Sequence, residues 1–322
     1  MEIFKNTSAA EFVLLGFSRD QGTNFLLFAV VLLMYLITLA GNTLIIVVIC
    51  TDPHLSTPMY FFLSNLSFLD ICYTTSVVPQ LLAHFMITYK AISFNRCMAQ
   101  LYISFSFGST EFLLLAAMAY DRYVAVCHPL HYRVLMNRRL CMQLASASWT
   151  YGFLNALVHT VFAMCLHFCG FNAIDHFACE VLAVIKVSCS DTSVNEILLV
   201  VAGVFALLIP CIVVMLSYVY IISAVLHIRS PDGRQRAFST CTSHLTVVIL
   251  CYGSAIFAYM SPKTNTSPNQ DKMLAFFYAV ITPMLNPIIY SLRNKEVKAA
   301  LAKTIEKCNG LTSVKNVASN GL

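Results

Sequence analysis

The chain is dominated by long apolar stretches separated by short polar ones. Seven of these, near 25–50, 58–82, 97–121, 140–164, 196–227, 236–260 and 271–292, can cross about 30 Å of hydrocarbon at about 1.5 Å per helical residue. The first is unbroken: nothing from Gln21 to Thr51 carries a charge, and the same holds between Arg139 and Asp175 and between Glu196 and Arg229. Pro79, Pro210, Pro283 and Pro287 fall inside the stretches. In a membrane bundle neighbouring helices satisfy the carbonyls that a proline frees, so these residues do not veto helices. The pattern predicts an all-α membrane protein, a seven-helix bundle over 25–292.

Beyond the seventh stretch, Val297, Ala300, Leu301, Thr304 and Ile305 recur at helical spacing with charged residues around the other faces. This predicts a short amphipathic helix over 293–308, lying on the membrane surface. Cys308, just past its apolar face, is either a palmitoylation site or a plain thiol. Residues 309–322 are polar and aperiodic, and are read as a disordered tail.

Composition agrees with the pattern. Of the 322 residues 58% are apolar and only 11% charged, about half the charge of a soluble domain. The net charge of +5 is too mild to suggest a nucleic-acid partner, but its distribution is informative. With the N-terminus outside, seven basic residues (Lys5, Arg19, Lys90, Arg96, Lys186, Lys263 and Lys272) face outward and the remaining thirteen of the 20 face inward. The excess of Lys and Arg on the cytoplasmic side predicts an extracellular N-terminal segment, 1–24, and a cytoplasmic C-terminus. The first two dozen residues lack the basic start, apolar core and small-residue cleavage site of a signal peptide, so the first apolar stretch is expected to serve as an uncleaved signal-anchor. Asn6-Thr7-Ser8 reads as a glycosylation acceptor, and Asn265 in the third outer loop is a second candidate.

Of the 13 cysteines, Cys97, Cys169, Cys179 and Cys189 lie on the outer side, where disulfides persist. Four cysteines admit three pairings, and the sequence alone does not choose among them. The run Cys165, His167, Cys169, His176, Cys179 also has the donors of a soft-metal site, although disulfides explain the cysteines more simply.

Five motifs follow in order along the spans. They are Pro58-Met59-Tyr60-Phe61-Phe62-Leu63, Met118-Ala119-Tyr120-Asp121-Arg122-Tyr123, Ser217-Tyr218, Ser239-Thr240-Cys241-Thr242-Ser243-His244-Leu245, and Pro283-Met284-Leu285-Asn286-Pro287-Ile288-Ile289-Tyr290. Taken together they resemble the vertebrate odorant-receptor family of rhodopsin-like G-protein-coupled receptors, tetrapod-type class, over residues 10–305. The small departures are Ser56, where the family usually has His, and Arg236, where it usually has Lys.

The resemblance implies a receptor that binds small volatile, mostly neutral ligands within the bundle and activates a stimulatory olfactory-type G protein, raising cyclic AMP. It implies outer disulfides Cys97–Cys179 and Cys169–Cys189. It also makes Arg122 a switch held by Asp121 beside Tyr123, with Tyr218 and Tyr290 rearranging inward and Asn286-Pro287 forming the flexible point of the seventh helix. Where amine receptors of this fold carry an aspartate, Ser104 stands here, which removes the counter-ion for a cationic amine. The ligand wall expected in the outer half comprises Ser104, Phe105, Gly108 and Ser109 on the third helix. Gly203 and Leu207 join from the fifth, Tyr252, Ala255, Ile256 and Tyr259 from the sixth, and Phe276 from the seventh.

Asp70 and Glu111 are the acids within spans. Asp70 lies twelve residues after Pro58, about 18 Å up, and Glu111 eleven before Arg122, about 17 Å up, so both sit near the midplane. Unpaired carboxylates are expensive there. The resemblance implies a sodium ion at Asp70 with Glu111 as an added ligand; the competing reading is a protonated pair with hydrogen bonds from Asn42 and Asn286. No other cofactor is expected, and no catalytic residues.

Other functions fit less well. A retinal-linked pump needs a lysine in the seventh span, and Met273–Leu292 has none. A transporter would show internal repeats and a channel a ring of pore charges. Phosphate-binding glycine loops, His-Glu-x-x-His and Gly-x-Ser-x-Gly are absent, so an enzyme is not expected. Chemosensing outside the nose by the same receptor type remains the competing role.

Overall fold

The computed structural model describes residues 11–17, 21–87, 89–169, 172–227, 231–260, 268–293, 297–300 and 302. Asn6, Asn265, Cys308 and the segment 309–322 lie outside them, as does the side chain of Tyr259.

Among the described residues seven long helices form the bundle: α1 (Gln21–Thr51), α2 (Pro58–Met86), α3 (Phe94–Cys127), α4 (Arg138–Met164), α5 (Ser193–Leu226), α6 (Pro231–Met260) and α7, which spans 268–293. Each expected span lies on one of them, but the helices overrun the apolar stretches. The first begins at Gln21, not residue 25, and the third runs past Arg122 to Cys127. Helical hydrogen bonding does not stop where hydrophobicity does. Five helices contain an apolar stretch long enough to cross a membrane, and α6 contributes the shorter apolar run Cys241–Phe257.

Exposure shows which helices face lipid. In the apolar windows of α1 and α5 only 22% and 28% of residues are buried, against 56% in α2. The exposed side chains are large and apolar, such as Phe25, Leu33, Ile197, Val200 and Met215. An apolar surface this extensive belongs in hydrocarbon. α3 is the central post and packs on α2, α4, α5 and α6, while α7 closes the ring against α1. Two crossings are tight because a glycine stands at each. A Cβ on Gly152 of α4 would lie 2.1 Å from Thr110 Oγ1 and 2.6 Å from the Ser106 carbonyl of α3. On Gly41 of α1 it would lie 2.9 Å from the Pro287 ring.

α5 and α7 each contain a widened π turn, Val204–Leu208 and Phe277–Ile281, followed by Pro210 and Pro283. A proline ring clashes with the carbonyl four residues earlier in a regular helix. Those carbonyls, of Ala206 and Ala279, lie inside the widened turns, where the ladder has already opened.

One end of the bundle carries a three-stranded sheet, ordered β2-β1-β3, that the apolar pattern does not predict. Strand β1 (Glu11–Leu14) is antiparallel to β2 (Ala91–Ser93), with Phe12 opposite Ile92, and parallel to β3 (Ala173–Ile174), with Leu14 opposite Ile174. Phe12 and Leu14 are fully buried in a small separate core with Ile92, Met98, Phe168 and Val184. The N-terminal segment is thereby clamped onto the loop between α4 and α5. At the opposite end Val297 and Ala300 are helical and packed against the main core, which is the apolar face expected of the amphipathic helix; most of 293–308 lies outside the described residues.

Candidate functional site

At the sheet end two disulfides fix the loop between α4 and α5. Cys97 at the start of α3 pairs with Cys179, and Cys169 pairs with Cys189. These are the pairings the family resemblance implied. His176 packs its ring on Phe177 and bonds the Ala178 backbone. Among the described residues no cluster of His, Cys, Asp and Glu suited to a metal ion forms.

Beneath this loop lies a cavity of about 90 Å³. One wall is the face of α3 that carries Ser104, Phe105, Gly108 and Ser109. Gly108 makes room: a Cβ there would meet nothing within 4 Å. α5 adds Gly203, Ala206 and Leu207, and α6 adds Cys251 and Ala255. Both π turns face this cavity, through Ala206 and Leu207 on one side and Tyr278 on the other.

Several expected wall residues sit elsewhere. The Tyr252 hydroxyl donates to the Phe112 carbonyl at 2.7 Å, which draws its ring into the α3–α6 contact. Phe276 packs on Phe17 and Phe177. Ile256 is part of the packing around the main core. Sequence reasoning missed Glu180 and Val181 from the loop, Tyr73 from α2, and Thr282 and Tyr278 from α7, all of which line the cavity. Only the disulfide hinted at the loop: wherever Cys179 is tied to α3, its neighbour Glu180 must follow.

Glu111 reaches the cavity floor and accepts from the Cys251 thiol at 3.1 Å. Asp70 is fully buried. Asp70 Oδ2 accepts from Asn286 Nδ2 at 2.9 Å, while Asn42 Nδ2 donates to the Pro283 carbonyl at 3.1 Å. The remaining oxygens of this cluster, Asp70 Oδ1, Asn42 Oδ1, Asn286 Oδ1 and Thr282 Oγ1, are buried without a hydrogen-bond partner, as is the Tyr290 hydroxyl. Orphaned buried oxygens are costly, so this cluster has capacity for a hard cation or for protons.

At the far end Asp121 is fully buried and accepts three bonds: Arg122 Nε at 3.0 Å and Nη2 at 2.6 Å on one oxygen, and the Tyr132 hydroxyl at 2.7 Å on the other. Burial, and after it the Asp121 charge, pushes the Tyr132 phenol up, so it stays a donor. Tyr123 meets His128 at 3.2 Å, and its ring lies tilted against that of Tyr220, 5.8 Å between centroids. Nearby, His244 of α6 is fully buried between α3 and α5. Its Nε2 lies 3.1 Å from the Leu115 carbonyl, which can only accept, so Nε2 carries the proton. Nδ1 is then an acceptor for the Tyr218 hydroxyl at 2.8 Å, which also lies 3.0 Å from the Cys241 carbonyl. One imidazole thus ties three helices. Neither Tyr132 nor His244 had a role assigned from sequence.

The bundle therefore has a mainly apolar cavity at one end and the buried Asp121–Arg122 pair at the other. The olfactory receptor family model matches residues 31–307. The chain belongs to the olfactory receptor family. It is 53% identical to human "Olfactory receptor 2F1" and 52% identical to "Olfactory receptor-like protein OLF3" of Canis lupus familiaris, in each case over 95% of this chain and 97% of the relative. Human "Olfactory receptor 2F2" is 52% identical over 97% of this chain and 99% of its own length. As an olfactory receptor the chain is a multi-pass membrane protein with an odorant ligand and a G-protein partner, and it is not an enzyme.

Proposed function

We propose that this olfactory receptor binds small, mostly neutral volatile molecules in the cavity between α3, α5, α6 and α7, and that binding there activates a stimulatory olfactory-type G protein, raising cyclic AMP. The observation that carries the reading is the cavity itself: lined mainly by Phe105, Leu207 and Ala255 and their apolar neighbours, and opened by Gly108. Such a wall holds a small ligand by dispersion with a few hydrogen bonds. The sheet end faces outward in this reading, since Arg122, Arg133, Arg138 and Arg139 of the inward basic set lie at the other end. Asn6 and Asn265 would then stand on the glycosylated side.

In the resting arrangement Asp121 neutralises Arg122, and His244 holds α6 against α3 and α5. Activation moves α6 away, frees Arg122 for the G protein, and lets Tyr218 and Tyr290 turn inward, with Asn286-Pro287 as the flexible point of α7. The orphaned oxygens around Asp70 fit a sodium ion, with Glu111 as a further ligand, and an ion held there would favour the resting state. A cell-based cyclic-AMP screen against a panel of small volatiles tests the whole reading. Agonists whose potency falls when Gly108 is enlarged to Leu support it, and agonists indifferent to that change would sink the cavity assignment.

A further inference from the structure

Two cavities meet at one pair of side chains. The inner one is the apolar chamber described above. The outer one is a vestibule bounded by Asp175, His176, Lys186 and Asp271 on the α4–α5 loop and the head of α7. Glu180 and Tyr278 are the residues that line both, and the Tyr278 hydroxyl donates a hydrogen bond to Glu180 Oε1. The Tyr278–Glu180 contact thus lies on the boundary that chamber and vestibule share.

The charges around Glu180 are already engaged elsewhere. Lys186 Nζ pairs with Asp271 at 3.0 Å, and Lys272 Nζ pairs with Asp175 at 2.5 Å. His176 Nε2 stands 3.9 Å from Glu180 Oε2, beyond hydrogen-bond length. Glu180 thus sits at the chamber mouth, with a side chain only 19% exposed. Within the chamber Thr282 Oγ1 lies buried without a partner, and the other polar groups near the floor are engaged. Glu111 accepts from Cys251, and Ser109 accepts from Asn155 at 3.2 Å. The carboxyl at the mouth is the acceptor a ligand meets first.

We infer that Glu180 sets ligand class in this receptor: the preferred ligand carries a hydroxyl, alcoholic or phenolic, that takes the place of the Tyr278 hydroxyl on Glu180 while its apolar body fills the chamber. Exchange of one donor for another leaves the half-buried carboxyl satisfied throughout, whereas an ether or aldehyde of the same skeleton would displace Tyr278 and leave Glu180 without its donor. The inference rests on the chamber being the ligand site, but not on the G-protein assignment.

Binding to the purified full-length receptor in lipid nanodiscs separates the two. Straight-chain primary alcohols and their methyl ethers serve as probes, read by ligand-induced thermal shift. The alcohols should bind roughly tenfold or more tightly than the matched ethers. Glu180→Leu should abolish that preference. Tyr278→Phe removes the competing donor that either probe must displace, so it should raise the affinity of alcohols and ethers alike while the alcohol preference persists, a gain that misfolding cannot produce. Equal shifts from alcohols and ethers, no shift from the alcohols, or an unchanged or weakened alcohol response in Tyr278→Phe would each overturn the inference. Alcohol-selective binding without any cyclic-AMP response would leave it standing and overturn the signalling assignment instead.

Discussion

The two ends of the bundle are held together by different kinds of bond. At the sheet end the loop over the cavity is fixed by Cys97–Cys179 and Cys169–Cys189, by three paired strands, and by the Lys186–Asp271 and Lys272–Asp175 ion pairs. At the other end the contacts are hydrogen bonds and one ion pair: Tyr132 and Arg122 on Asp121, and Tyr218 on His244. A hydrogen bond contributes about 0.5–1.5 kcal/mol net, or about 1.5–3 kcal/mol to a charged group, so it can be exchanged for another of the same kind. A disulfide cannot be exchanged on the timescale of signalling. The sheet end is fastened covalently, and the opposite end is fastened by bonds that can be exchanged.

The strongest way to break this contrast is to cut the covalent end. Cys97→Ser and Cys179→Ser should each lose the bridge that closes 82 residues of chain, costing about 2–5 kcal/mol and most surface delivery. The double variant should be no worse than either single, because both remove one bond. Surface labelling checks this, and additive losses would show that the two cysteines act separately.

At the opposite end a comparable loss should change signalling and spare folding. Tyr132→Phe removes the donor on Asp121 Oδ1 and costs about 1.5–3 kcal/mol of the resting arrangement. Basal cyclic AMP should rise while surface levels hold. A variant that is merely depleted from the surface, with unchanged basal output per receptor, would assign Tyr132 to folding.

These contacts mark the limit of what the chain reveals by pattern. Spans are legible because an uninterrupted apolar run such as 21–51 has few other uses, and the Asp121-Arg122-Tyr123 and Asn286-Pro287 motifs were recognisable from residue identity. The partners of those motifs were not. Tyr132 reaches Asp121 across eleven residues, His244 reaches Leu115 across 129, and Tyr278 reaches Glu180 across 98. No periodicity encodes such pairings; they depend on how the helices rotate and how closely they approach. β1 was invisible for the same reason, since Glu11-Phe12-Val13-Leu14 becomes a strand only when β2 and β3 are present to pair with it. Of the residues expected to form a ligand wall, those on α3 line the cavity together, because one helix face sets them, whereas Tyr252 and Phe276 pack on nearer neighbours.

Two glycines sharpen the comparison within a single helix contact region. Gly152→Ala forces a methyl against the Ser106 carbonyl and Thr110, which cannot both yield, and should cost about 1–3 kcal/mol with reduced surface delivery. Gly108→Ala points into open cavity and should fold normally, while altering which agonists work. Reversed outcomes, with Gly152→Ala normal and Gly108→Ala retained in the cell, would mean that the tight and open sides of α3 have been exchanged.

The smallest expected effect lies between the two ends, at Asp70 and Glu111. If the orphaned oxygens there hold sodium, the ion binds the resting arrangement in preference and acts as a brake. At an ion concentration near its dissociation constant the bias is only about twofold. Raising sodium at constant ionic strength, with potassium as the substitute, should lower basal cyclic AMP by about that factor, and Glu111→Gln should weaken the dependence while leaving surface levels intact. Ionic strength must stay fixed because screening of the inner basic residues could mimic a small sodium effect. Potassium is larger and fits a compact oxygen cluster less well, so it isolates the ion's identity from its charge. A protonated pair predicts something different: glutamine imitates the neutral acid, and neither the substitution nor the ion changes basal output. Identical basal activity in sodium and potassium would remove the ion from the cluster and leave Asp70 and Glu111 as a hydrogen-bonded link between the fixed end and the moving one.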